Sequence, residues 1–196
     1  MAEVFSDDFN RADSTTIGGN WTQDAGAMEI KSNTLRAQPA PFGVGLENLG
    51  HNTSSIGSAD YEVEAVLAVA GGFGTGVTGR ISNPSNDYYL LELEHGSSGT
   101  LVLYKRVGGT YTLLGSYVFG SGAGTYTIKL SMQGTTIKGY LDGVERISVT
   151  DSAHSTEGDF GYRCFETDDP PNDSFDSYKV YTFTATGNPW YAYAQQ

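Results

Sequence analysis

Residues 126–148 restrict what this chain can fold into more than any other stretch. Tyr126, Ile128, Leu130 and Met132 alternate with Thr127, Lys129 and Ser131, the period-two pattern of a strand with one buried and one wet face. Gln133-Gly134 interrupts the run, and a second alternation follows through Ile137, Gly139 and Leu141. Asp142-Gly143 then precedes a third run over residues 144–149. An Asp-Gly pair between alternating segments favours a two-residue hairpin, because both central residues of a type I′ turn take positive φ. The stretch predicts a three-stranded antiparallel meander.

Similar patterning recurs along the chain. Residues 4–10 read as a first strand anchored by Phe5 and Phe9, and Trp21 reads as a core aromatic beneath the first loop. Residues 28–30 and 34–38 form a short hairpin across Ser32-Asn33, ended by Pro39 and Pro41, which cannot donate to a ladder. Tyr61, Val63, Ala65, Leu67 and Val69 alternate with Glu62 and Glu64. In the glycine-rich run that follows, Phe73, Val77 and Ile81 hold the inward parity, which puts Thr78 and Arg80 outside. Tyr89, Leu91 and Leu93 point inward, with Tyr88, Glu92 and Glu94 opposite. Residues 101–107 and 111–119 pair across Gly108-Gly109, and strands over 158–165 and 175–183 flank an acidic loop at 166–173. Short strands at this spacing with no intervening helices indicate a sandwich.

Composition narrows the function classes. At 196 residues the chain fits one large all-β domain. Eleven Lys and Arg stand against 23 Asp and Glu, a formal net charge of −12. Nucleic acid and anionic membrane select basic surfaces, so neither is an expected partner. The single Cys164, alternating with Phe160 and Tyr162, reads as a buried thiol. The N-terminus shows no basic region followed by an apolar one, so no signal peptide is expected, and no apolar run is long enough to span a bilayer.

The hairpin G-x-x-I-x-x-Y-L-D-G at residues 134–143 resembles the late strands of concanavalin A-like, laminin-G-like jelly rolls. The opening V-F-S-D-D-F-N-R-A-D-S-T-T-I-G-G-N-W-T at residues 4–22 is similar to such domains in bacteriophage minor tail and other virion proteins, especially in phages of actinobacteria. The resemblance runs from Phe5 to about Phe183. It implies an all-β antiparallel β-sandwich, a concanavalin A-like jelly roll, with first and last strands as neighbours. It also implies a virion location, reached after synthesis in a host cytoplasm. This superfold hosts lectins, glycosidases and structural modules alike, so the function has to be argued from a site.

Residues 1–186 form the expected sandwich and residues 187–196 an aromatic tail. The tail carries Pro189, Trp190, Tyr191 and Tyr193 without a charge, the composition of a partner-docking segment. Catalysis is not expected. The E-x-D-x-x-E pattern of glycosidases in this superfold is absent, and the pairs Glu62/Glu64 and Glu92/Glu94 read as solvated strand faces. His51, His95 and His154 read as separate surface residues. By resemblance, Asp8 and Asp176 match positions that in related modules lie together at a structural calcium site, and Asp168, Asp169 and Asp173 could add oxygens. For glycans, parity groups Arg80, Tyr88 and Glu92 on one outer face, an aromatic with a cation and a carboxylate.

The leading expectation is a non-enzymatic bacteriophage virion structural protein on the particle exterior, as minor tail or capsid decoration. Its partners would be other virion proteins and, weakly, host-surface glycans, and homo-oligomers stay open. The alternative is a carbohydrate-binding, lectin-like module with a structural calcium site.

Overall fold

The computed structural model describes residues 1–39, 46–70, 74–82, 86–94, 98–120, 122–156, 158–166 and 173–183. Among these, β-strands are the sole regular elements. In chain order they begin with β1 (Ala2–Asp7), β2 (Trp21–Ala25), β3 (Met28–Lys31), β4 (Thr34–Ala37) and β5 (Leu46–Asn52). Next come β6 (Tyr61–Val69), β7 (Gly74–Ser82), β8 (Asp87–Glu94), β9 (Gly99–Val107) and β10 (Thr110–Gly120). They are followed by β11 (Gly124–Gln133), β12 (Thr136–Leu141), β13 (Val144–Thr150), β14 (Asp159–Glu166) and β15 (Ser174–Thr182).

These strands make two antiparallel sheets. One runs β13-β12-β11-β6-β15-β4-β3, with β1 beside β15, and the other runs β10-β9-β8-β7-β14-β5-β2. The first and last strands are neighbours, as expected, with Asp7 opposite Tyr178. The meander is β11 to β13: Ile128 faces Leu141, and Ile137 faces Val149. Asp142 and Gly143 have φ of 49° and 77°, the positive pair that the turn demands. Asp142 locks it by accepting the Thr127 N–H on its side chain at 2.9 Å.

The alternation that built the strands also built the core. Val63, Leu67, Ile128 and Leu130 of the first sheet meet Tyr89, Leu91, Leu101 and Leu103 of the second, all fully buried. Each such side chain contributes about 1.5–3 kcal/mol relative to exposure. Cys164 is buried in the same cluster. Trp21 closes one end of it, its ring 5.2 Å from Tyr178 and 5.7 Å from Phe5. Its indole N–H donates to Asp7 at 2.9 Å, so the one polar atom of this large ring is satisfied.

The outer face of the second sheet departs from an ordinary wet surface. A second apolar cluster of Leu49, Ile81, Tyr88 and Leu90 sits there, with Tyr104 and Tyr111 packed against it. Strand parity had directed Ile81 to the core. The register of β7 against β8 shifts between Gly79 and Ser82, and a bulge of this kind reverses the parity of the residues after it. Arg80, at the bulge, has a φ of 51°. That turn of the backbone withdraws Arg80 from the face it was expected to share with Tyr88 and Glu92.

Candidate functional site

A cleft of about 310 Å³ opens on this outer face, lined by Glu92, Glu94, Tyr104, Tyr111, Arg163 and Phe165. The lining comes from β8, β9, β10 and β14, strands that the sheet order brings together. Arg163 on β14 must cross β7 to reach Glu92 on β8. Glycine at position 74 leaves the room: a Cβ there would lie 3.0 Å from Glu92 Oε2 and 3.5 Å from Arg163 Nη1.

One hydrogen-bonded chain organises the floor. Arg163 donates from Nη1 to Glu92 Oε2 at 2.5 Å and from Nε to Glu47 Oε1 at 2.9 Å. The Tyr111 hydroxyl donates to the same Glu47 oxygen at 2.9 Å. Its one hydrogen is thereby used, so Tyr88 is the donor in the 2.6 Å contact between the two hydroxyls. Tyr104 donates to Glu94 at 2.8 Å. The Arg163 guanidinium also lies over the rings of Tyr111 and Phe165, at 5.4 and 5.5 Å.

Burial and pairing set the charge states. Burial pushes the Glu92 carboxyl up to about 7; Arg163 opposes the rise, and Glu94 and Glu47 add to it. Burial acts the same way on Glu47, but the hydrogen bonds from Arg163 and Tyr111 outweigh it and hold that carboxyl below its ordinary range. Burial would lower Arg163, and its two carboxylates more than compensate, so it stays a guanidinium. Burial, helped by the bond to Glu94, lifts the Tyr104 phenol to about 12. The cleft is a set of neutral phenols around a permanently charged and doubly paired arginine.

The structure keeps two of the three expected glycan-face residues together. Tyr88 and Glu92 lie on the outer face, both buried, with Tyr88 under Tyr111 and Glu92 in the cleft. Arg80 is elsewhere, only 2% exposed. It donates to the carbonyls of Ala59, Gly134 and His154 at 2.8, 2.9 and 2.8 Å. The reading of Glu92 and Glu62 as solvated is also corrected: Glu62 is buried and paired with Lys129 at 3.0 Å. His51 is buried and bound to Asp24 at 2.7 Å, and His154 is half-buried against the Arg106 carbonyl at 3.0 Å. His95 lies outside the described residues.

Among the described residues, the calcium positions Asp8 and Asp176 do not line one hollow. Asp8 lines a second hollow of about 370 Å³ with Glu3, Ser6, Asp7, Ser177 and Lys179, while Asp176 is exposed on β15 and is no part of that lining. Asp7 is spent on Arg11 and Trp21, and Asp173 on the Ala70 N–H and the Thr75 hydroxyl. Among the described residues no group of three His, Cys, Asp or Glu could hold a metal ion. Asp168 and Asp169 lie outside the described residues, as do Pro189, Trp190, Tyr191 and Tyr193.

No protein-family profile and no curated protein matches the chain. Solved structures do. The carbohydrate binding module CBM66 from Bacillus subtilis superposes with a TM-score of 0.62 at 16% identity, covering 83% of this chain and 92% of the module. The exoplasmic/lumenal domain of VIP36, in its Ca2+/Man2-bound form, gives a TM-score of 0.65 at 13% identity over 89% of this chain and 85% of that one. A LamA variant from Z. galactanivorans, in complex with laminaritriose and laminaritetraose, gives 0.61 at 11% identity over 92% and 98%. These neighbours are antiparallel jelly rolls of the concanavalin A-like type, and this chain has their fold.

Proposed function

We propose that this chain is a non-catalytic, lectin-like carbohydrate-binding module whose ligand occupies the cleft over β8, β9, β10 and β14. The observation that carries the reading is the lining itself: three aromatic rings beside two carboxyl groups and a guanidinium fixed in place, in a hollow of about 310 Å³. Aromatic rings stack on the apolar faces of a sugar, while fixed polar groups bond its hydroxyls. The saccharide-binding neighbours of the same fold support it. Hydrolysis would need one carboxyl free to donate a proton and another free to attack or to activate water. Glu92 is held by Arg163 and Glu94 by Tyr104, which favours binding over hydrolysis.

Tyr104 is half-buried at the edge of the outer cluster, so its removal is expected to cost the ligand more than the fold. Tyr104→Ala should bind a soluble neutral glucan or mannan roughly two- to ten-fold more weakly than the parent chain, because a lost stacking ring is worth about 0.5–1.5 kcal/mol. Affinity electrophoresis reads the binding and circular dichroism the fold. Unchanged retardation in the gel would remove the cleft from the account.

A second reading, a bacteriophage virion protein displayed outside the particle, rests on the resemblance of residues 4–22. There, weak glycan contact would gain from many copies. On that reading residues 187–196 attach the domain to other virion proteins. A chain truncated after residue 186 should then fold yet fail to co-sediment with particles, and its retention on them would dismiss the attachment.

A further inference from the structure

The glycan reading leaves the charge of the ligand open, and the cleft's own charge balance addresses it. We propose, resting on that reading, that the cleft selects uncharged saccharides and excludes uronic, sialylated and sulfated ones.

An anionic sugar needs a cation whose charge is not already balanced. Among the described residues, Arg163 is the one cation in the lining. Its Nη1 and Nε are taken by Glu92 at 2.5 Å and Glu47 at 2.9 Å. Its guanidinium also lies over the rings of Tyr111 and Phe165. Two carboxylates therefore already share the charge that a ligand carboxylate would need. Glu94 adds a third negative group in the lining, bonded to Tyr104. Arg106 lies over the rings of Tyr88 and Tyr111, is not part of the lining, and donates to the Asn86 carbonyl.

With Glu47, Glu92 and Glu94 around Arg163, a ligand carboxylate in the cleft would meet more negative than positive charge at short range. A neutral ring meets no such repulsion. Its hydroxyls are donors, and the carboxylate oxygens of Glu92 and Glu94 are acceptors.

The test measures binding of the full chain to a neutral glucan, a neutral mannan, polygalacturonate and alginate, at about 0.15 M salt, where charge effects beyond about 8 Å are screened. Retardation by a neutral polymer, with roughly ten-fold weaker or no retardation by both polyuronates, is the expected result. Polyuronate binding equal to or tighter than neutral binding overturns the selectivity while leaving the saccharide site standing. Binding to none of the four overturns the saccharide reading and this inference with it. Glu92→Gln, which removes one negative charge from beside Arg163 and keeps an oxygen to accept from Nη1, should shift the polyuronate-to-neutral affinity ratio upward by roughly ten-fold. Glu94→Gln provides the same readout at the cleft mouth should the buried variant fail to fold, and a ratio unmoved in the variant that folds also overturns the proposal.

Discussion

Arg80→Met is expected to lower the unfolding free energy by about 3–5 kcal/mol, the range seen when one partner of a buried charged network is removed. The Arg80 side chain is a buried clamp joining three segments distant in sequence. Its Nε donates to the Ala59 carbonyl at 2.8 Å, just before β6, and Nη1 donates to Gly134 in the β11–β12 turn at 2.9 Å. The same Nη1 donates to His154 beyond β13 at 2.8 Å, and Nη2 to Asp60 at 3.2 Å. Methionine keeps the apolar stem and removes every donor, leaving carbonyls that had been satisfied to find water in a closed site. The Arg80 N–H also donates to the Tyr61 hydroxyl, a bond the substitution keeps. The loss therefore reports the guanidinium and not the backbone. Urea unfolding should show a lower midpoint with an unchanged slope. A midpoint corresponding to a loss under about 1 kcal/mol would show that the clamp is satisfied by solvent instead.

Arg80 also marks the limit of what the chain's pattern discloses. Period-two alternation located β6, β8, β9 and the β11 to β13 meander, because a strand with one face in the core repeats the same environment every second residue. It failed past Gly79, where a bulge exchanges the faces and no residue type announces it. It also read Glu92 as solvated, since a carboxylate on an outer face is wet unless a partner covers it. That partner, Arg163, lies 71 residues away on a strand separated from β8 by β7. Arg163, set between the inward Tyr162 and Cys164, was not singled out. Only the strand order, and the space left at Gly74, set it against Glu92. Glu47, Tyr104 and Tyr111 were missed for the same reason: their meaning depends on which strands are neighbours.

Arg163→Met is expected to be the most pH-dependent substitution in the chain. It removes the cation from Glu92, which is only 3% exposed, and from Glu47. At about pH 8 the stability should fall by about 3–5 kcal/mol, because Glu92 must then either stay ionised and unpaired or take up a proton against the solution. The sign is set by the direction of the shift. Glu92 already titrates at about 7 in the folded parent chain, above its ordinary value of 4.5. Its contribution to stability is fully present below that ordinary value and is lost as pH rises through about 7. Without Arg163 its folded value climbs further, so the loss continues to higher pH and the deficit of the variant grows with it. Glu47 works in the opposite sense: held below its ordinary range by Arg163, it adds stability above that range and loses it in acid. Removing the arginine removes that contribution too, which leaves a residual deficit at neutral pH even when Glu92 is made neutral. The double variant Arg163→Met with Glu92→Gln should consequently recover part of the loss at about pH 8 and little at about pH 5, where Glu92 is already protonated. Thermal unfolding of the parent, the single and the double variant across that span separates the two carboxylates. A deficit of the single variant that stays constant with pH would mean that Glu92 does not ionise in the folded chain over this range, and that Arg163 acts there through packing alone.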